Sequence, residues 1–176
     1  MAGLRHLNLY NLCAKTTLLL ALLLSNICWA EPLFELKKVG EARLSVLFWD
    51  IYDSALYTQS GVYRSEEFPQ ALDIVYLRDI ESIELIENTK EEWQKLGIND
   101  EDSVRWLGNL TQLLPNIKKG DRLTLVVNTH KHSEFFLNSN SIGSVCDAKF
   151  GPAFLRIWLD AGSSYPKVRR KLIGKN

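Results

Sequence analysis

Two arginines and three tyrosines stand in or beside segments that otherwise read as core strands: Arg43, Tyr52, Tyr57, Tyr76 and Arg78. A guanidinium among apolar side chains needs an anionic partner, because an unpaired buried charge is very costly. Two arrangements satisfy it. In one, the arginines face a cleft and hold the carboxylate of a bound molecule while tyrosine hydroxyls orient it. In the other, pairing is internal: Arg78 with Asp73 or Asp79, Arg43 with Glu41 or Asp50, and the tyrosines simply pack.

Other chemistry is sparse. The sequence has no phosphate-cradling glycine loop, no G-x-S-x-G turn and no H-E-x-x-H helix. His130, His132 and Glu134 lie on one strand face with spacing that suits a metal, but no further ligand can be named, so they read as a solvated hairpin tip. No motif calls for a cofactor or a metal. The cluster Lys167, Arg169, Arg170, Lys171 complements the dipole at a helix end, and it also offers a peripheral contact with the anionic envelope. Basic and acidic residues balance at 21 each, which removes the electrostatic footprint of a nucleic-acid binder.

These residues need elements to hold them, and the first thirty positions supply none. Arg5, His6 and Lys15 precede the apolar run 17–24, and Cys28 and Ala30 are small residues at −3 and −1 of a cleavage point. That is the pattern of a secretory signal peptide, residues 1–30. Its apolar run is shorter than the roughly 20 residues of a spanning helix. Cleavage would leave residues 31–176 as one domain, periplasmic or secreted, with no transmembrane segment. Only Cys146 would remain, reading as a small buried core residue.

The rest alternates between two periodicities. Residues 42–58 are apolar on both faces, with Leu44, Val46 and Phe48 alternating against Leu47, Trp49 and Ile51, and predict a strand pair bent at Asp50 or at Asp53–Ser54. Leu72, Ile74 and Tyr76 predict a half-buried strand. Asp79 opens a helix with Ile80, Ile83, Ile86, Trp93 and Leu96 at helical spacing, stopped by Gly97, with a kink possible at the capping-box pattern Thr89–Glu92. A second helix starts at Asn99, carries the stripe Val104, Leu107, Leu110, Leu114, and ends at Pro115. Residues 123–146 read as a three-strand meander with turns at 129–132 and 138–140. Asp147 caps a helix bearing Phe150, Phe154, Ile157 and Trp158, and Pro166 opens a short terminal helix. Strands interrupted by helices in this order predict an α+β fold with the helices on one face of the sheet.

The ordered set of local motifs resembles the bacterial chalcone isomerase-like family. It comprises Val39-Gly40 with Arg43, the stretches 51–57 and 72–80, residues 120–123, and Gly143, Asp147, Phe150, 153–154, 157–160, Pro166, Arg169 and 172–174. The resemblance implies an open-faced β-sandwich, a large antiparallel sheet with helices packed on one face and a cleft between them. It brings three precedents: plant enzymes that cyclise chalcones, relatives that hold a fatty-acid carboxylate with arginine and tyrosine, and bacterial members without an established activity. In the enzymes an arginine and a threonine come from the early strands, and a helical tyrosine lies seven residues before an asparagine. Arg43 matches the arginine; with Tyr57 as the tyrosine ending that strand, the threonine position falls on Tyr52. With Asn88 as the asparagine, the helical tyrosine is replaced by Glu81. An ionised acid there opposes a developing enolate, so chalcone cyclisation is expected to be absent.

The expectation is therefore a non-catalytic protein that binds a small amphipathic carboxylate, a fatty or aromatic acid, through Arg43, Tyr52, Tyr57, Tyr76, Arg78 and Asn88. A protein-interaction module of the envelope and an isomerase of the chalcone type are the alternatives.

Overall fold

The computed structural model describes residue 33 and residues 35–175. The leader expected over residues 1–30 lies outside the described residues. Strands β1 (Lys37–Val46), β2 (Trp49–Thr58) and β3 (Gln70–Tyr76) come first, then helices α1 (Ser82–Lys95) and α2 (Glu101–Leu113). The meander β4 (Arg122–Val127), β5 (Ser133–Leu137), β6 (Asn140–Val145) follows, and α3 (Phe150–Leu159) and α4 (Pro166–Leu172) close the chain. The six strands form one sheet in the order β1-β2-β3-β4-β5-β6, each antiparallel to its neighbours. The helices cover one face, so the α+β open-faced arrangement expected above is the fold.

Alternation within each strand sorts side chains between the two faces. On the helix side Leu44, Tyr52 and Tyr76 stand opposite one another across β1, β2 and β3, and Leu72 and Leu125 do so across β3 and β4. Trp93, Trp106, Phe135, Phe150 and Phe154 interlock beneath the helices as edge-to-face and stacked rings. Trp93 also donates its indole N–H to the Ala153 carbonyl at 3.0 Å, fixing α1 against α3. Gly40 backs directly onto the main-chain carbonyls of Lys171 and Leu172, an approach that leaves no room for a Cβ and seats α4 on β1.

The helix starts differ from expectation. Asp79 lies before the first helix; it binds the Lys119 N–H and the Lys118 ammonium, while Glu81 occupies the N-cap. The helix runs unbroken past Thr89, whose hydroxyl donates to the Leu85 carbonyl. Ile83 and Val104 point to solvent; Leu110 and Leu114 of the expected stripe are buried, joined by Ser103 and Trp106 of α2. Asp147 does not cap α3, whose N-cap is Lys149; two residues earlier, its carboxylate accepts from the Lys149 N–H, the Trp106 indole and Arg105. Cys146 is exposed rather than buried, because it is the first residue past β6 and the alternation there places Val145 inward.

Candidate functional site

Between the inner face of the sheet and helices α1 and α3 lies a cavity of about 590 Å³. Its floor is apolar: Leu72, Ile74, Leu123, Leu125 and Phe135 from the sheet, roofed by Phe154 and Ile157. The volume falls within the range of small-molecule sites, about 300–1,000 Å³. Leu44, Tyr52 and Tyr76 form its side toward β1.

Three tyrosines line this apolar space: Tyr52 and Tyr76 from the sheet, and Tyr165 from the connection between α3 and α4. Trp158 of α3 donates its indole N–H to the Tyr52 hydroxyl at 2.8 Å. An indole can only donate, so the Tyr52 oxygen accepts and keeps its own proton to give. Tyr76 packs edge-on against Tyr52 with ring centroids 6.0 Å apart, and its hydroxyl has no partner among the described residues. Burial pushes the Tyr52 and Tyr76 phenols well above their ordinary ionisation range, so both stay protonated donors at neutral pH.

The six residues expected to meet at one site divide between two faces. Tyr52 and Tyr76 line the cavity, Arg78 stands exposed at its mouth, and Asn88 of α1 joins it there. Arg78 makes no hydrogen bond or ion pair among the described residues; Asp73 and Asp79, the acids nearest to it in sequence, are engaged by Arg122 and Lys118. Arg43 and Tyr57 lie on the other side of the sheet, outside the cavity. Arg43 is fully engaged there, with Nε and Nη2 on the two oxygens of Asp53 at 2.7 and 2.8 Å and Nη1 on Asp50 at 2.9 Å. These two carboxylates hold its guanidinium firmly in the charged form. Asp50 and Asp53 share that face because of a bulge: Leu44 opposes Tyr52 and Ser45 opposes Asp50, leaving Ile51 unmatched on β1. The freed Ile51 contributes to the cavity wall instead.

On the same outer face Asp73, nearly inaccessible, takes Arg122 and the Thr124 hydroxyl, a second internal pairing. Tyr57 is half-buried, paired across the sheet with Lys38 of β1 and Ala71 of β3.

Besides Tyr165, sequence reasoning missed two features of the cavity. Glu92 of α1 lines it, with Oε1 on the Lys95 ammonium at 2.8 Å and Oε2 buried without a partner among the described residues. Its spacing of four from Asn88 was the available signal, since such residues share a helix face. The other is the β1–β2 hairpin, whose Val46, Leu47 and Trp49 rim the mouth opposite Glu84, Glu87 and Glu91 of α1. Glu81, at the position of the enzymes' helical tyrosine in the expected correspondence, is the N-cap of α1 and lies outside the cavity lining.

The family model for chalcone isomerase-like proteins matches residues 31–174. The chain belongs to the chalcone isomerase-like family. A Haemophilus influenzae protein described only as uncharacterized is 28% identical over 146 residues, covering 83% of this chain and 72% of that protein. Among solved structures, a fatty-acid binding protein of Arabidopsis thaliana superposes with a TM-score of 0.62 over 80% of this chain and 87% of its own, at 13% identity. At that identity the likeness speaks for the fold. Within the family's fold, the arrangement here is an apolar chamber with protonated phenol donors inside and an uncommitted guanidinium at the opening. It can hold an apolar body and hydrogen-bond an acceptor-bearing head group.

His130 and His132 sit at the β4–β5 turn, away from the cavity lining, and no group of three or more metal-binding side chains occurs among the described residues. No described helix is long and apolar enough to cross a membrane.

Proposed function

We propose that this chalcone isomerase-like protein is a non-catalytic binder of a small amphipathic carboxylate, a fatty or aromatic acid, exported to the periplasm or beyond by its leader. The observation that carries the reading is Arg78, a guanidinium with no internal partner at the mouth of an apolar cavity that already contains two buried phenol donors. A carboxylate supplies what the guanidinium lacks, and the tail removes apolar wall from water. The fatty-acid binding structural neighbour is consistent with this kind of cargo.

Outside the cavity lining, the basic residues of α4 form a surface of their own. Lys167, Arg170 and Lys171 are exposed, whereas Arg169 is partly spent on the Leu159 carbonyl.

The test is calorimetric titration of residues 31–176 with dodecanoate and with a hydroxycinnamate, beside native mass spectrometry of protein taken from the producing cells. Binding that weakens about tenfold in Arg78→Ala, the equivalent of roughly 1.4 kcal/mol, supports the reading. No heat, no adduct and no response to Arg78→Ala would remove it.

A further inference from the structure

The β1–β2 hairpin ends in four consecutive apolar residues, Val46-Leu47-Phe48-Trp49. Leu47 is 88% exposed, Phe48 98% and Trp49 70%. Leu47 adopts a positive φ of 56°, a conformation that a branched side chain pays for and that turns the tip outward. Exposed aromatics clustered this way need a partner surface.

We propose that this tip is a lipid-bilayer anchor, inserting into the interfacial layer of an uncharged, zwitterionic membrane and setting the cavity mouth against it. Four observations support this. The tip is continuous with the site, since Val46, Leu47 and Trp49 both form the tip and rim the mouth. Its residues suit an interface, where tryptophan sits at headgroup depth and phenylalanine and leucine enter the acyl boundary. It is narrow and backed at once by polar groups, Ser45, Asp50 and Arg43, which limit the depth of insertion. Finally, its area is small. Aromatic side chains bring about 150–250 Å² each, so two of them with Leu47 and Val46 fall short of the roughly 800 Å² per partner of a stable protein interface.

Charge narrows the choice of occupant. The rim facing the tip carries Glu84, Glu87 and Glu91 against the single Arg78. Two copies meeting tip to tip would bring these acidic rims together, and an anionic surface would be repelled by them. The basic face of α4 is no substitute: it packs at Gly40, six residues from Val46 along β1, roughly 20 Å away at about 3.3 Å per residue. The bilayer contact requires only the exposed tip; its purpose, passing an amphiphile between membrane and cavity, rests on the binding reading above.

The experiment is flotation of residues 31–176, which contain all the described strands and helices, with phosphatidylcholine vesicles, with and without phosphatidylglycerol. Phe48→Asp, the hairpin variant, changes a tip residue that does not line the cavity and is compared with Val104→Asp, an exposed apolar site on α2. The expected result is flotation with pure phosphatidylcholine, a loss of at least tenfold in the hairpin variant, none in Val104→Asp, and no gain from phosphatidylglycerol. Quenching of Trp49 fluorescence by bromine-labelled lipid, absent in Trp49→Phe, places the tip in the layer. The proposal is overturned by absence of flotation, by equal flotation of the hairpin variant, by binding that needs phosphatidylglycerol and fails in Lys167→Ala/Arg170→Ala/Lys171→Ala, or by a hairpin-dependent dimer that ignores vesicles. Titration of the hairpin variant with dodecanoate in water separates the two readings: retained binding with lost flotation isolates the anchor, and absent binding in both proteins counts only against the cavity reading.

Discussion

The Trp158 indole donates to the Tyr52 hydroxyl at 2.8 Å, tying α3 to β2 across the wall of the cavity. The bond links residues 106 positions apart in sequence and leaves Tyr52 its own proton to donate, so it can serve packing and ligand recognition at once.

Removing this bond separates the two roles. Tyr52→Phe and Trp158→Phe are each expected to cost about 1 kcal/mol, the net worth of a buried neutral hydrogen bond. A double-mutant cycle by urea denaturation should return a coupling of about 0.5–1.5 kcal/mol. Only Tyr52→Phe also removes a donor to the cargo, so it alone should weaken dodecanoate binding beyond what its stability loss explains.

The two arginines are expected to behave oppositely. Arg78→Ala should reduce cargo affinity with little change in the urea midpoint. Arg43→Ala should leave affinity within about twofold, the size of change expected for a surface substitution away from the site, while shifting the midpoint slightly, since its carboxylate partners are solvated. Equal losses of affinity in the two variants would show that Arg43 reaches the ligand.

Asp73 is nearly inaccessible and holds both Arg122 and Thr124. Asp73→Ala should destabilise by about 2–3 kcal/mol, below the roughly 3–5 kcal/mol of a fully buried broken pair because Arg122 retains access to water. Chemical denaturation measures it, and a change below about 0.5 kcal/mol would refute the assignment.

Asp147 titrates below the usual carboxylate range, held there first by the Lys149 N–H and then by the Trp106 indole and Arg105. A lowered folded-state pKa means that the unfolded chain binds the proton more readily in acid. The stabilisation is therefore full above the ordinary aspartate value, near 4, and drains away as pH falls through the lower folded value. Thermal melts from pH 6 to pH 2.5 should fall less steeply in Asp147→Asn than in the parent, starting from a lower plateau at pH 6.

Much of the fold was legible because its signals are local. Alternation marked β3 and β4, Gly97 stopped α1 with its positive φ of 71°, Pro166 opened α4, and the turns at 129–132 and 138–140 cut the meander where the structure turns. Helix faces were legible where stripes were unambiguous, as with Phe150, Phe154 and Ile157. Ile83 and Val104 fitted the same periodicity yet face water, since an apolar side chain at helical spacing says nothing about whether another element lies over it.

The sequence by itself determined the order of elements, the antiparallel meander and the residue types able to hold an oxyanion. Only the tertiary structure decided which of them share a space. Arg43 and Arg78 look alike in the chain, each beside acids and each in an apolar stretch. Strand register sends Arg43 to the outer face, where the bulge at Ile51 turns Asp50 to the side of Asp53 so that both hold it, whereas Arg78 lies past the end of β3 at the cavity mouth. A one-residue change in pairing reverses the face of every side chain beyond it, and a bulge exists only in relation to the partner strand it is paired with.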